Sequence, residues 1–305
     1  MSREKACPFF FGRVFFRSLQ SIIEGKKQGI VISLRQKGII LKAGIAFIDS
    51  HVHLDLLYEA EPSCLSKLRR AGCLPVSWAF GHGIQSTGDL ETYLHSQAGA
   101  LEKINREVLP CFFLSGIHPR NIPADLRPED VERLLLPFLD HPLCLGIGEI
   151  GLENADAHEK EIFSAQLALA PEMAQRGKVF GVHTPKGDKI RVSNEILEIL
   201  KGFTSFRDRI IVDHCTIETI DEVLRSEFWA GMTLSPAKSS VEDLQDVARR
   251  HVKYLDRIML NTDSGDTFYD DLLKLVQGNN SETERKGDLT RGNACRFFGI
   301  PSPPG

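Results

Sequence analysis

From residue 44 onward, short apolar runs alternate with longer amphipathic segments. The runs cover 45–50, 73–80, 108–117, 143–150, 178–183, 209–214, 228–234 and 256–262, each of strand length. Between them, 59–71, 88–107, 126–140, 157–177, 189–202, 216–226, 238–253 and 266–278 have helical spacing. Val131, Leu134, Leu135 and Phe138, for example, fall at i, i+3, i+4 and i+7. Ser239 or Ser240 with Glu242 behind it, and Thr216 ahead of Ile217 and Glu218, are the expected caps at two helix starts. Eight strand–helix units over about 260 residues predict an α/β fold, a single (β/α)8 TIM barrel, because doubly wound sheets rarely need eight parallel strands. The barrel is expected over 44–300, after a basic extension at 1–43 and before a loose tail at 301–305.

Composition narrows this only a little. The chain has 305 residues, 42% hydrophobic and 26% charged, which fits a globular protein with a substantial core. Its net charge of -4 does not indicate a basic nucleic-acid-binding surface. Residues 1–43 carry nine Lys/Arg against Glu4 and Glu24, a local +7 that leaves -11 for the remainder. This extension lacks the apolar core and small-residue cleavage site of a secretion signal; it is read first as a dispensable extension, with organellar targeting as the alternative. Seven scattered cysteines with no Cys-x-x-Cys pair suit reduced thiols, so a cytoplasmic location is expected. No apolar run reaches the length of a membrane span.

Candidate chemistry sits at the strand ends. Residues i and i+2 of a strand share a face, so His51 and His53 can offer two imidazoles to one metal ion. The other seven runs end at His82, His118, Glu149, His183, His214, Ser235 and Asp263, 21 to 36 residues apart, one step for each strand–helix unit. In a barrel of this class all of them would meet at the C-terminal face. His95, His141, His158 and His251 fall in or beside helices and are read as surface or helix-end residues. His82 is read first as a loop histidine, while His118 is open to a structural or a substrate-binding role. Glu149 ends a glycine-rich apolar strand, where a lone buried carboxylate would be costly without a cation. The mixed nitrogen and oxygen set suits Zn2+, Mn2+ or another divalent ion, and a carboxylate on strand four can bridge two of them. Hydrolysis by a metal-activated water follows, with Asp263 taking the proton and later returning it to the leaving group.

The order His-x-His after strand one, Gly116-Ile117-His118-Pro119 after strand three, Gly148-Glu149-Ile150-Gly151-Leu152 at strand four, a histidine after strands five and six, and Thr262-Asp263-Ser264 at strand eight resembles the TatD-related metal-dependent hydrolases of the amidohydrolase superfamily. The resemblance spans residue 49 to about 265 of the barrel. It implies one divalent ion at His51, His53, Glu149 and Asp263, a second shared by Glu149 with His183 and His214, and His118 near the substrate. Zn, Mn or Mg are the expected ions, with Glu149 and Asp263 as the catalytic carboxylates. Members of the family include nucleases acting on DNA. Here the family's usual His-Ser-Arg is His183-Thr184-Pro185-Lys186, and its usual His-Cys-Phe-Ser-Gly is His214-Cys215-Thr216-Ile217-Glu218. Its usual Thr-Asp-x-Pro is Thr262-Asp263-Ser264-Gly265. The ligands persist while their neighbours change, so altered specificity is expected.

Arg120, Lys186, Lys189, Arg191 and Lys238 fall in the strand-end loops, mixed with Asp55, Glu59, Glu153, Asp156 and Glu218. Arg120 and Lys186, with His118, are the expected substrate contacts. The loops hold few aromatics for a single-strand track, so a small or medium anionic substrate is favoured over long nucleic acid. The leading expectation is a TatD-like phosphodiesterase or deoxyribonuclease-related hydrolase. The alternatives are an amide or lactone hydrolase and a non-catalytic metal-binding barrel.

Overall fold

A computed structural model describes residues 44–278 and 285–301. The expectations for 1–43, and for the tail beyond residue 301, lie outside them. All eight predicted strands are present: β1 (Phe47–Val52), β2 (Cys73–Ser77), β3 (Phe112–Leu114), β4 (Cys144–Gly151), β5 (Val179–His183), β6 (Ile210–Val212), β7 (Trp229–Thr233) and β8 (Ile258–Asn261). They pair in sequence order, every pair parallel. This is the order that consecutive right-handed strand–helix–strand units generate. The ends of the sheet come together as a nearly closed barrel. Its seam is bonded just beyond the strands, where Asp263 N donates to His51 O at 3.0 Å and His53 N to Ser264 O at 2.7 Å.

The helices around the barrel are α1 (Leu54–Ala60), α2 (Pro62–Arg70), α3 (Thr87–Glu107), α4 (Asp130–Leu139), α5 (Ala157–Leu167), α6 (Ala170–Arg176), α7 (Lys189–Leu200), α8 (Ile220–Arg225), α9 (Val241–Arg250), α10 (Asp271–Gln277) and α11 (Asn293–Phe298). Two segments expected to be single helices are divided. The 59–71 segment breaks at Glu61, where Pro62 takes the first turn of α2, and 157–177 breaks at Ala168–Leu169, with Pro171 in the first turn of α6. Ser240 caps α9 as expected, but its capping-box partner is Asp243 rather than Glu242. Thr216 caps nothing helical: α8 starts four residues later, and Thr216 O instead accepts from the Thr219 and Ile220 amides. The third strand is shorter than its apolar run, since Leu109 still bonds back to Ile104 at the end of α3.

Inside the barrel, Trp78 follows β2 with its ring fully buried. A Cβ on Gly181 would come within 2.5 Å of that ring, so a glycine on β5 gives it room. The indole lies flat against His51, ring centroids 4.0 Å apart and planes 11° from parallel, and its Nε1–H donates to Ser50 O at 2.9 Å. The floor of the C-terminal mouth is thereby fixed before any polar group is placed on it.

Candidate metal centre

His51 lies within β1, Glu149 within β4, and His183 at the last position of β5. His53 follows directly after β1, and His214 and Asp263 lie two residues past the ends of β6 and β8. The barrel thus delivers six expected residues to one place. His51 Nε2 is 3.2 Å from Glu149 Oε2 and 3.5 Å from Asp263 Oδ1. His53 Nε2 is 3.2 Å from the same Asp263 oxygen and 3.7 Å from Glu149 Oε2.

The other nitrogen of each ring decides what these distances mean. His51 Nδ1 donates to Asp213 Oδ2 at 2.5 Å, and His53 Nδ1 donates to Trp78 O at 3.0 Å. A neutral imidazole with its Nδ1 proton committed has only a lone pair at Nε2. Two nitrogen lone pairs and two carboxylate oxygens therefore converge, and His51 Nε2 is buried without a hydrogen-bond partner. Such a set repels itself unless a proton or a metal cation sits at its centre, and its nitrogen and oxygen donors fit a divalent ion. Without one, burial pulls the His51 pKa down, but Glu149 and Asp213 outweigh it and lift it to about 10. Burial would raise Glu149, yet His51, His118 and His183 hold it well below the usual carboxylate range.

The far oxygen of Glu149 gathers a second group. Oε1 lies 2.5 Å from His183 Nδ1, 3.1 Å from His214 Nε2 and 3.6 Å from His118 Nε2. His183 Nε2 bonds Glu153 Oε2 at 2.9 Å, which leaves Nδ1 to face Glu149. His118 differs in kind, because its Nδ1 accepts from the Arg120 amide at 3.0 Å. Its proton is then on Nε2, and burial pushes its pKa down to about 3, so it is a neutral donor aimed into the cavity. His214 Nδ1 is 2.8 Å from both Thr233 Oγ1 and Lys238 Nζ. The Lys238 ammonium also donates to Asp263 Oδ2 at 2.6 Å.

A cavity of about 480 Å3 opens above these groups. Arg120, Lys186, Lys189 and Lys238 bring positive charge to it, while Leu56, Phe80 and Tyr269 supply apolar wall. Arg120 is itself engaged, Nε to Glu153 Oε2 at 3.0 Å. Lys189 Nζ donates to Thr184 Oγ1 and Pro185 O, and burial lowers its pKa to about 8. Arg191 turns away to pair with Asp188 and Glu195. His82 stands apart from the centre, exposed and paired with Asp266 at 3.1 Å. Asp213 and Trp78 were not among the expected site residues, and Glu153 and Lys238 were expected only as charges of the strand-end loops. Asp213 carried a local signal as the acid directly before His214, but nothing in its neighbourhood points to a histidine 162 positions away.

A parallel eight-stranded barrel with histidines and carboxylates at the C-terminal mouth belongs to the metal-dependent class of TIM barrels. Residues 48–268 match the model of the TatD related DNase family, and the chain belongs to that family. It is 29% identical over 151 residues to an uncharacterized metal-dependent hydrolase of Methanocaldococcus jannaschii, across 49% of this chain and 57% of the relative. It is 28% identical over 235 residues to the human 3'-5' RNA nuclease TATDN2, covering 72% of this chain but only 28% of that protein. The crystal structure of a TatD-like protein from Archaeoglobus fulgidus superposes with a TM-score of 0.60 at 28% identity, over 83% of this chain and 99% of that one. The chain thus spans little more than half of one curated relative and less than a third of the other.

Proposed function

We propose that this chain is a metal-dependent hydrolase of an anionic substrate, foremost a phosphodiester. The observation that carries the reading is the convergence of His51 Nε2 and His53 Nε2 on Glu149 Oε2 and Asp263 Oδ1, with Nδ1 of each ring engaged elsewhere, by Asp213 and by Trp78 O. Two divalent ions are proposed, Zn, Mn or Mg, one held by His51, His53, Glu149 and Asp263, and one by Glu149 with His183 and His214. Bound there, such ions supply Lewis acidity to the electrophile and to the attacking water. Asp263 takes the proton at its carboxylate and returns it to the leaving group, while Lys238 holds the other carboxylate oxygen in place. His118 donates Nε2–H to a substrate oxygen, its tautomer fixed by the Arg120 amide. Lys186, Lys189 and Arg120 draw the anion to the mouth, and Phe80 and Leu56 keep water from the inner wall.

The human relative's name makes an RNA end one substrate to test, alongside a small diester. The experiment compares bis-p-nitrophenyl phosphate, a short RNA oligonucleotide and a lactone panel, with and without Mn2+. Metal-dependent phosphodiester cleavage is expected, and Asp263→Asn should lower kcat by roughly 10^2- to 10^4-fold, the range of general acid–base assistance. Lactone turnover without diester cleavage would move the substrate class to acyl transfer. No turnover of any kind by metal-loaded protein would sink the hydrolase reading.

A further inference from the structure

Glu153 lies just past β4, and the hydrolysis outlined above gives it no part. It is nevertheless a fixed residue. The Glu159 carboxylate, buried on α5, accepts from the backbone amides of Glu153 at 2.9 Å, Asn154 at 2.9 Å and Ala155 at 2.7 Å, and from Asn154 Nδ2 at 3.1 Å. Ala155 sits at φ 64° in this turn, a left-handed conformation that a non-glycine residue holds only when its surroundings impose it. Asp156 caps α5, taking the Glu159 amide at 2.9 Å, so the staple is itself anchored. From this turn Glu153 reaches His183 Nε2 at 2.9 Å and Arg120 Nε at 3.0 Å through one oxygen.

A neutral imidazole offers one lone pair, and its partner at the other nitrogen decides which atom carries it. Nε2–H given to Glu153 places the lone pair on Nδ1, the atom 2.5 Å from Glu149 Oε1. We propose that Glu153 is a positioning residue for the second cation, turning His183 so that Nδ1 faces the shared carboxylate, with Glu159 as the staple that holds Glu153 in reach. The proposal rests on the two-ion reading above. It assigns the loop after β4 a task separate from that of Glu149, though only four residues divide them.

Zinc alone serves as the probe, titrated into the metal-stripped full-length chain by equilibrium dialysis with elemental analysis. Two ions are expected in the unaltered chain. Glu153→Ala should keep the first ion and bind the second about 10- to 100-fold more weakly, the usual effect of removing a partner of a metal-bound histidine. Glu153→Gln, whose amide oxygen still accepts from Nε2–H, should recover most of that loss. If Glu153→Ala does not fold, Glu153→Asp keeps the charge but is one methylene too short to reach Nε2, and should show the same weakened second ion. Equal second-ion affinity in the folded variant and the unaltered chain would overturn the role of Glu153 and leave the cation centre standing. Equal loss of both ions, or a single ion in the unaltered chain, would do the same. No zinc uptake by the unaltered chain would overturn the cation centre and this inference together.

Discussion

Asp213 illustrates how much of the centre is decided by residues that never face the cavity. Fully buried, it would be expected to hold its proton, yet His214 and His51 outweigh burial and bring its pKa to about 2. Asn261 Nδ2 fixes its other oxygen at 2.8 Å, so the carboxylate has one orientation. A side chain on residue 231 would run into that oxygen, which accounts for the glycine on β7. The product of this packing is the Nδ1–H tautomer of His51. Asp213→Asn can present its amide NH2 to Nδ1, which forces the proton onto Nε2 and replaces a ligand with a donor. First-ion affinity should then fall by about 10- to 100-fold with the circular dichroism spectrum unchanged, as measured by competition with a chromophoric chelator. Unchanged affinity would mean that the tautomer is set elsewhere.

At the scale of elements, the loop from β5 into α7 carries the clearest pH dependence. Lys189 opens α7 with its ammonium bonded inward to Thr184 and Pro185, and burial lowers its pKa from the ordinary 10.5 to about 8. Below pH 8 both folded and unfolded chains carry the proton, and the folded state bears the full cost of burying the charge. As pH rises from about 8 towards 10.5 the folded chain releases its proton first, so Lys189 adds stability with rising pH across that window. Lys189→Met should abolish this contribution, visible as a smaller rise in urea midpoint between pH 8 and pH 10 than in the unaltered chain. Equal slopes would show that the ammonium is solvated. The strands were legible because a short apolar run between amphipathic segments has few other readings, as 178–183 has for β5. Helix breaks were not, because apolar spacing runs on through Glu61 and Ala168 while proline chemistry divides the backbone. That the strand-end histidines and carboxylates meet at the mouth was legible from their regular spacing. The contacts of Asp213, Glu153 and Lys238 depend on which loops face each other across the mouth, and no local pattern encodes that.

At the scale of the whole molecule, the centre and the barrel seam share residues. His51, His53 and Asp263 are the proposed ligands, and their backbones supply the bonds that join the C-terminal ends of β8 and β1. Beside them, Asp49 accepts from the Thr262 amide at 3.0 Å and from its hydroxyl at 2.7 Å. A cation pulling the His51 and His53 rings and the Asp263 carboxylate together therefore also tightens the one strand pair that lacks a regular ladder. Ligand linkage gives the size: at a hundredfold excess over Kd, a single bound ion adds about 2.7 kcal/mol. For a domain of this size that corresponds to a melting-temperature rise of roughly 5–10 °C. Chelation should remove it, and hydrogen exchange should localise the loosening, with the Asp263 and His53 amides exchanging faster while those of β4 and β5 hold. A chelator that left Tm and those two amides unaffected would separate the seam from the centre. The lone pairs converging on Glu149 would then have no part in the stability of the barrel.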